Sequence, residues 1–166
     1  MVIKLKTLLL TVILLFLVIH TPESHALDKV SRLGVGMSNQ LQNNIPAISI
    51  KMQKNRSFAI GALGGVSTDS EKGGYGVGLK AYRNIFDEPQ LNFYLAAMGA
   101  LLSSKVNSTS YSGFQFDLSL GSEFHFQGLS SLGFSFEFGA SAFKKKEFVF
   151  QTLGNNFIVM AIHFYL

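Results

Sequence analysis

The sequence contains no cysteine and no tryptophan, and only 3 of its 166 residues are proline. Without cysteine the chain has no disulfide, no thiolate zinc site, no cysteine nucleophile and no lipid anchor on an N-terminal cysteine. Charged residues are also scarce, at 14% against roughly 25% in an average soluble domain. In their place stand 16 glycines and 16 phenylalanines. A chain of this length and composition predicts one ordered domain of ordinary size.

The first 26 residues have the three parts of a secretory signal peptide. Lys4 and Lys6 give a positive start, residues 8–19 are almost wholly apolar, and Ser24 and Ala26 are small residues at positions −3 and −1 of a cleavage site. An uncleaved membrane anchor is the alternative, but a spanning helix needs about 20 apolar residues. We therefore expect a signal peptide over 1–26 and a single domain over 27–166.

Cleavage after Ala26 lowers the charge of the chain. The segment removed holds Lys4, Lys6 and Glu23, so that 12 of the 14 basic and 9 of the 10 acidic residues remain, scattered along the sequence. A nucleic-acid interface needs basic residues clustered on one face, so we expect no nucleic-acid partner.

After residue 27 the sequence alternates with period two, which is typical of β-strands. Between Phe114 and Phe126 the even positions are nearly all phenylalanine or leucine, while the odd positions include Gln115, Asp117 and Glu123. Residues that favour turns separate eight runs of this kind. The runs are 30–39, 46–54, 57–67, 73–84, 90–102, 111–126, 131–143 and 155–166.

Two kinds of barrel fit eight short antiparallel strands: a soluble one with an apolar interior, and a membrane one with its apolar face outside. The polar face carries mostly small side chains, such as Gly74, Gly76 and Gly78, which suit a narrow barrel interior. The other face is aromatic and aliphatic, and in water it would be an unusually large exposed patch. A sheet in lipid must also close, because an open edge leaves backbone groups without partners. The predicted fold is all-β: an eight-stranded antiparallel up-and-down transmembrane β-barrel.

The spacing of the runs also predicts their register. A turn centred on Leu129 places Phe124 opposite Phe134 and Gly121 opposite Glu137, so that apolar residues face apolar ones and polar residues face polar ones.

A turn centred on Asp87 places Leu79 opposite Leu95 and Lys80 opposite Tyr94. With an even number of strands both termini lie at the same end of the barrel, and we expect that end in the periplasm. The connections expected outside are 40–45, 68–72, 103–110 and 144–154, and the expected periplasmic turns are 55–56, 85–89 and 127–130.

The last run alternates apolar residues up to the end of the sequence. These residues are Ile158, Met160, Ile162, Phe164 and Leu166. The pattern resembles the C-terminal assembly signal of bacterial outer-membrane barrels, although leucine stands where phenylalanine is usual. With the signal peptide and the strand number, the whole chain is similar to the small OmpA/OmpX-like class. The resemblance implies a bacterial outer-membrane location, the barrel-assembly machinery as a partner during biogenesis, and a monomer.

Alternation predicts a set of charged and imidazole side chains that point into the barrel. They are Arg32, Lys51, Lys80, Asp117, Glu123, His125, Glu137 and His163. Unpaired buried charges are costly, so we expect ion pairs, with Glu137 opposite His163 if the last turn is centred on Phe150. An eight-stranded interior is only wide enough to be filled by side chains. The sequence therefore predicts a polar plug and not a pore.

Three other patterns have a chemical interpretation that we weigh against a structural one. The glycines of 73–78 lack the Gly-Lys-Ser/Thr ending of a phosphate loop and are interpreted as a small inward face. Glu123, His125, Glu137 and His163 are residue types that bind metals, but a hydrogen-bonded network is the preferred interpretation. We expect no metal and no cofactor.

The last of the three is the run Lys144, Lys145 and Lys146, which is a candidate contact for lipid headgroups or for lipopolysaccharide, or else a solvated hairpin tip.

Three functions remain open. The first is a small integral outer-membrane barrel with a structural or surface-interaction role and no catalysis, in contact with outer-membrane lipids and lipopolysaccharide. The second is a soluble periplasmic or secreted barrel that binds an apolar ligand. The third is an outer-membrane lipid-modifying enzyme. Lipid A deacylases resemble this chain in size and use a His-x-Ser pair, but Gln127 and Tyr165 follow His125 and His163 at that spacing.

Deletion of Phe164, Tyr165 and Leu166 tests the assembly signal. The truncated chain should remain unfolded and protease-sensitive, because the barrel cannot close without its final strand. Protease digestion of membrane fractions measures this outcome. Normal amounts of protease-resistant truncated protein would contradict the interpretation.

Overall fold

The computed structural model describes residues 30–106, 109–153 and 158–166, so the predicted signal peptide lies outside the described part. The described residues form nine β-strands. They are β1 (Leu33–Ser38), β2 (Ala47–Asn55), β3 (Phe58–Ser67), β4 (Gly74–Glu88), β5 (Leu91–Val106), β6 (Thr109–His125), β7 (Leu132–Lys144), β8 (Phe148–Thr152) and β9 (Val159–Tyr165). Among the described residues there is no helix of the length and apolar character that a membrane span requires.

The strands close into an antiparallel barrel. From β6 back to β1 each strand pairs with its neighbour in the sequence, β1 pairs with β9, β9 with β7, and β7 with β6. β8 and β9 both pair with β7 and form two parts of one stave. The barrel therefore has eight staves, which confirms the predicted fold class.

One end of the barrel, here called the turn end, holds residue 32, Leu166 and the β2–β3, β4–β5 and β6–β7 connections. The opposite end, here called the loop end, holds the β1–β2, β3–β4, β5–β6 and β7–β8 connections.

The last stave is broken into two strands, a feature that the alternation of the sequence does not predict. Ala140 of β7 lies opposite Thr152, and Glu137 lies opposite Val159. Two residues separate the first members of these pairs and six separate the second, so the partner numbers shift by four. The expected connection 144–154 is wrong for this reason, since 148–152 form a strand. The predicted pairing of Glu137 with His163 is wrong, because the β7–β8 turn is centred on Lys146 and not on Phe150. The shift by four makes up only half of the resulting difference in register, so His163 lies opposite Gly133.

The predicted register between β6 and β7 is confirmed, with Phe124 opposite Phe134 and Gly121 opposite Glu137. The register predicted around Asp87 is wrong by four residues, because Lys80 lies opposite Met98.

This error arises because β4 and β5 are longer than their alternation indicated. They extend to Glu88 and from Leu91, and an irregularity between Asn84 and Phe86 shifts the ladder. An error of four residues keeps each side chain on its predicted face. The expected connection 103–110 is likewise too long, since the strands continue to 106 and resume at 109.

The connection between β1 and β2 enters the barrel instead of standing outside it. Gln40, Leu41, Gln42, Asn43 and Ile45 are all buried. The expectation of a surface loop over 40–45 is therefore wrong. Leu41 belongs to an apolar cluster that fills the loop end of the lumen. The other members are Ala47, Leu63, Met98, Ala100 and Leu102. Burial of this cluster offsets the cost of ordering the segment.

The outer wall of the barrel is apolar. Met37, Leu79, Phe138 and Phe150 are 58%, 72%, 56% and 72% exposed, although they lie in or beside paired strands. Neighbouring positions along the same strands are buried and mostly polar or small, as in the pattern of β9. This polarity is the reverse of that in a soluble barrel.

Arginine substitutions on the outer wall test its contact with lipid. Phe138 lies opposite Leu120 in the middle of β7, whereas Phe148 lies opposite Lys144 beside the hairpin tip. Phe138→Arg should lower the free energy of unfolding in lipid by about 2–4 kcal/mol, and Phe148→Arg by about 0–1 kcal/mol. Denaturant titration in vesicles measures both, and equal losses would contradict a membrane centred on mid-barrel.

Candidate functional site in the barrel interior

The structure brings together seven of the eight side chains that alternation directed inwards. Lys51, Lys80, Asp117, Glu123, His125, Glu137 and His163 are all buried inside the barrel. Arg32 is not among them. It precedes β1 at the turn end and donates hydrogen bonds from its guanidinium to the carbonyl oxygens of Tyr165 (3.1 Å) and Leu166 (3.4 Å). Arg32 therefore ties the start of the barrel to its last strand.

Glu123 is the centre of the polar cluster nearest the turn end. Its carboxylate accepts hydrogen bonds from the Lys51 ammonium (2.8 Å), the Tyr165 hydroxyl (2.9 Å) and the Ser135 hydroxyl (3.1 Å). His125 Nε2 lies 3.2 Å from the same carboxylate. These groups come from β2, β6, β7 and β9, so one carboxylate connects four staves.

Glu137 is the centre of a second cluster at mid-barrel. Lys80 Nζ lies 2.6 Å from both carboxylate oxygens. The Tyr94 hydroxyl (2.9 Å) and the Ser119 hydroxyl (2.8 Å) also donate to the carboxylate. These residues lie on β4, β5, β6 and β7, so this cluster adds β4 and β5 to the staves that the Glu123 cluster connects and shares β6 and β7 with it.

Tyr82 joins the two clusters. The ammonium groups of Lys51 and Lys80 lie 4.7 Å and 5.0 Å from the centre of its ring. The Tyr94 ring meets it edge-on, with centroids 5.3 Å apart. Cation–π contacts of this kind gain strength when the cation is desolvated. Both lysines therefore have a carboxylate on one side and an aromatic face on the other.

Asp117 is the centre of a third cluster toward the loop end. It accepts hydrogen bonds from Ser141 (2.6 Å), Gln115 (2.7 Å) and Gln40 (3.0 Å). Gln40 in turn accepts a 2.6 Å hydrogen bond from Lys80, which connects this cluster to that of Glu137. The inward-turned β1–β2 segment is therefore bonded to the centre of the barrel.

The charges in the lumen do not balance, although the inward set predicted from the sequence contains three basic and three acidic residues. Because Arg32 lies at the barrel end, the buried set holds two lysines against three carboxylates. The three side chains that donate hydrogen bonds to Asp117 are all neutral, and three such donors stabilise a buried carboxylate in place of an ion pair.

The two inward histidines make different contacts. His163 Nε2 lies 2.9 Å from the Ser49 hydroxyl, whereas His125 Nε2 faces Glu123. The Nδ1 atom of each ring has no hydrogen-bond partner within the part of the chain that the structure describes. In that part of the chain no three histidine or carboxylate residues are grouped as a metal site would need.

Several residues of the interior were not predicted from the sequence. Tyr82, Tyr94 and Tyr165 share a strand face with charged residues, so alternation alone was enough to identify them. Gln40 and Gln42 had no such signal, because they belong to a connection and not to a strand. Gly121 also matters, since a Cβ atom there would lie 2.6 Å from the Tyr94 ring.

The lysine run lies at the loop end of the barrel, where the chain turns from β7 into β8. Lys144 and Lys146 are exposed, whereas Lys145 is half-buried and donates a 2.5 Å hydrogen bond to the carbonyl oxygen of Gln42. Burial lowers the pKa of the Lys145 ammonium.

Along the last strand and the residues that flank it, outward residues alternate with inward ones. The residues on the outward positions are Ile158, Met160, Ile162, Phe164 and Leu166.

Comparison with known proteins identifies the fold. The N-terminal β-barrel domain of Pseudomonas aeruginosa OprF has a similar structure, with a TM-score of 0.60 and 12% sequence identity over 82% of this chain and 98% of that domain. No family model and no curated protein sequence matches the chain. At this level of identity the likeness concerns the barrel itself.

Exchange of Glu137 for glutamine tests the central ion pair. Glu137→Gln should lower the free energy of unfolding by about 3–5 kcal/mol, because Lys80 is left charged in the interior without its carboxylate. The double variant Lys80→Met/Glu137→Gln removes both charges and should recover most of the loss.

Urea titration of the refolded barrel measures the unfolding free energies. The exposed Glu71→Gln in the β3–β4 connection is the control and should change stability by less than about 0.5 kcal/mol. A double variant no more stable than Glu137→Gln alone would contradict the pairing.

Proposed function

We propose that this chain, an eight-stranded barrel with the fold seen in the OprF domain, is a small integral outer-membrane protein with a structural or surface-interaction role. The observation that carries the proposal is the reversed polarity of the barrel. Large apolar side chains cover the outside, and paired charges fill the inside.

A lipid environment accounts for both faces. In hydrocarbon the exposed phenylalanines and leucines are favourable, and a closed sheet leaves no backbone group without a partner. The sequence features that resemble a signal peptide and a C-terminal assembly signal support the outer membrane as that environment. The connection 39–46 at the loop end is longer than any connection at the turn end, and it supports an orientation with the loop end outside and both termini in the periplasm.

The interior supports a plugged barrel without transport. Three carboxylate clusters and the β1–β2 segment occupy the lumen from the turn end to the loop end. Eight staves enclose only enough space for side chains, in contrast to 16–18-stranded porins. The hydrogen bonds between staves then act as internal cross-links.

The soluble alternative requires an apolar cavity for its ligand. The buried positions of this barrel are mainly charged, polar or tyrosine residues, with a small apolar cluster around Leu41 that is itself filled. This observation favours the membrane protein. No catalysis is part of the proposal, since the interior carboxylates are engaged by hydrogen-bond donors from neighbouring staves.

The proposed partners are outer-membrane lipids and lipopolysaccharide around the wall, and the barrel-assembly machinery during insertion. We propose a monomer. Cell fractionation followed by gel electrophoresis with and without boiling tests the location and the barrel together. We expect the protein in the outer-membrane fraction, with a migration that changes on boiling. Recovery as an aqueous protein without detergent would support the soluble alternative.

Planar-bilayer recordings test the plug. The purified protein should form no stable channels, because the ion pairs and the β1–β2 segment block the lumen. Glu137→Ala should lower stability without adding transport. Steady ion-selective channels from the unmodified protein would refute the plug and support a small pore.

A further inference from the structure

The loop end of the barrel contains a cleft of about 640 Å³, which the inward-turned β1–β2 connection lines in part. Lys72 comes to it from the β3–β4 connection, Lys105 from the end of β5 and Lys145 from the β7–β8 turn. These three lysines are 33 and 40 residues apart in the sequence, so only the closed barrel brings them together. The cleft is here called the lysine cleft.

The lysines of the cleft carry charge that is not neutralised by ion pairs. Within the described ranges, no carboxylate forms an ion pair with Lys72, Lys105 or Lys145. Asp69 is near Lys72 and Lys105, but its carboxylate accepts hydrogen bonds from the backbone amides of Glu71 and Lys72 (2.8 and 2.6 Å). Those backbone bonds are the main cause that lowers the pKa of Asp69. The carboxylate is thus held by the loop and does not line the cleft.

Lys145 is partly removed from solvent. It is half-buried, and its ammonium donates a hydrogen bond to the carbonyl oxygen of Gln42. A desolvated ammonium is costly without an opposite charge. An anion bound in the cleft would supply that charge, so the position of Lys145 favours a ligand.

The walls of the cleft indicate the kind of anion. Asn44 and Ser104 provide polar groups beside the lysines, while Pro46 and Val66 form an apolar side. Val66 is 74% exposed on the outer wall of β3, which places the cleft next to the surface that faces lipid. A phosphoryl group with an apolar neighbour fits this combination, since phosphate oxygens accept several hydrogen bonds from ammonium groups.

We propose that the lysine cleft binds a phosphoryl group, through Lys72, Lys105 and Lys145. The source is either a phosphorylated glycolipid of the surrounding leaflet or a soluble phosphate compound. The lipid source rests on the proposed outer-membrane function, whereas binding of soluble phosphate does not. The cleft differs from the expected contact through the whole lysine run, because only Lys145 of that run lines it.

Binding of pyrophosphate to the refolded full-length barrel in neutral detergent provides the first arm of the test, by isothermal calorimetry. Vesicles with lipopolysaccharide provide the second arm, and vesicles with its dephosphorylated form serve as the comparison. Lys145→Gln should weaken binding about tenfold, the effect expected for one charged hydrogen bond. Lys146→Gln, an exposed neighbour outside the cleft, is the matched control and should bind as the unmodified protein does.

Lys105→Gln is the second variant, since Lys145→Gln removes the bond to Gln42 and can impair folding. Heat-modifiable migration shows which variants fold.

The outcomes distinguish the two sources. If pyrophosphate binds, and Lys105→Gln weakens this binding while Lys146→Gln does not, the result supports the site with a soluble source. Binding only to phosphorylated lipopolysaccharide with the same dependence supports the lipid source. Equal losses in Lys105→Gln and Lys146→Gln, or no binding in either arm, would overturn the proposal. Fractionation tests the outer-membrane location separately, so the two failures are distinguishable.

Discussion

Two lysine–glutamate pairs inside the barrel, Lys51–Glu123 and Lys80–Glu137, determine the arrangement of the remaining interior. A charge taken out of water must be paired and its remaining hydrogen-bonding groups satisfied. Each glutamate accordingly collects hydroxyl donors from neighbouring staves, and Tyr82 lies between the two lysines. A narrow barrel achieves this because side chains from opposite walls meet at its axis.

The pairs also explain where small residues occur. Gly121 lies opposite Glu137 and leaves the volume that the Tyr94 ring occupies. Gly133 does the same near His125 and Tyr165, since a Cβ atom there would lie 2.9 Å from the imidazole and 3.1 Å from the phenol ring. Long charged and aromatic side chains therefore need small residues on the facing strands, and the alternation of the sequence supplies them.

The lumen at the loop end is filled in a different way from the rest of the barrel. There the β1–β2 segment fills the lumen. Leu41 packs in the apolar cluster, and the side-chain amide of Gln40 and the backbone amide of Gln42 donate hydrogen bonds to Asp117 and Gln115. With this segment turned inwards, the lysines of the other connections surround a cleft instead of a plug. The same fold thus combines an interior whose lysines are paired with glutamates and a rim where, among the described residues, the cleft lysines form no ion pair. The rim is where we place ligand binding.

The sequence by itself determined the fold class, the facing of each strand and the inward position of seven charged or imidazole residues. Alternation suffices for these because a period of two assigns each side chain to a face whatever its partner. The error of four residues around Asp87 left every facing unchanged for the same reason. Only the tertiary structure decided which residues pair. The β7–β8 turn is centred on Lys146 and not on Phe150, so His163 contacts Ser49 and not Glu137. The β1–β2 connection turns inwards, and Arg32 lies beyond the first strand. These outcomes depend on contacts between residues tens of positions apart, and local periodicity contains no information about such distances.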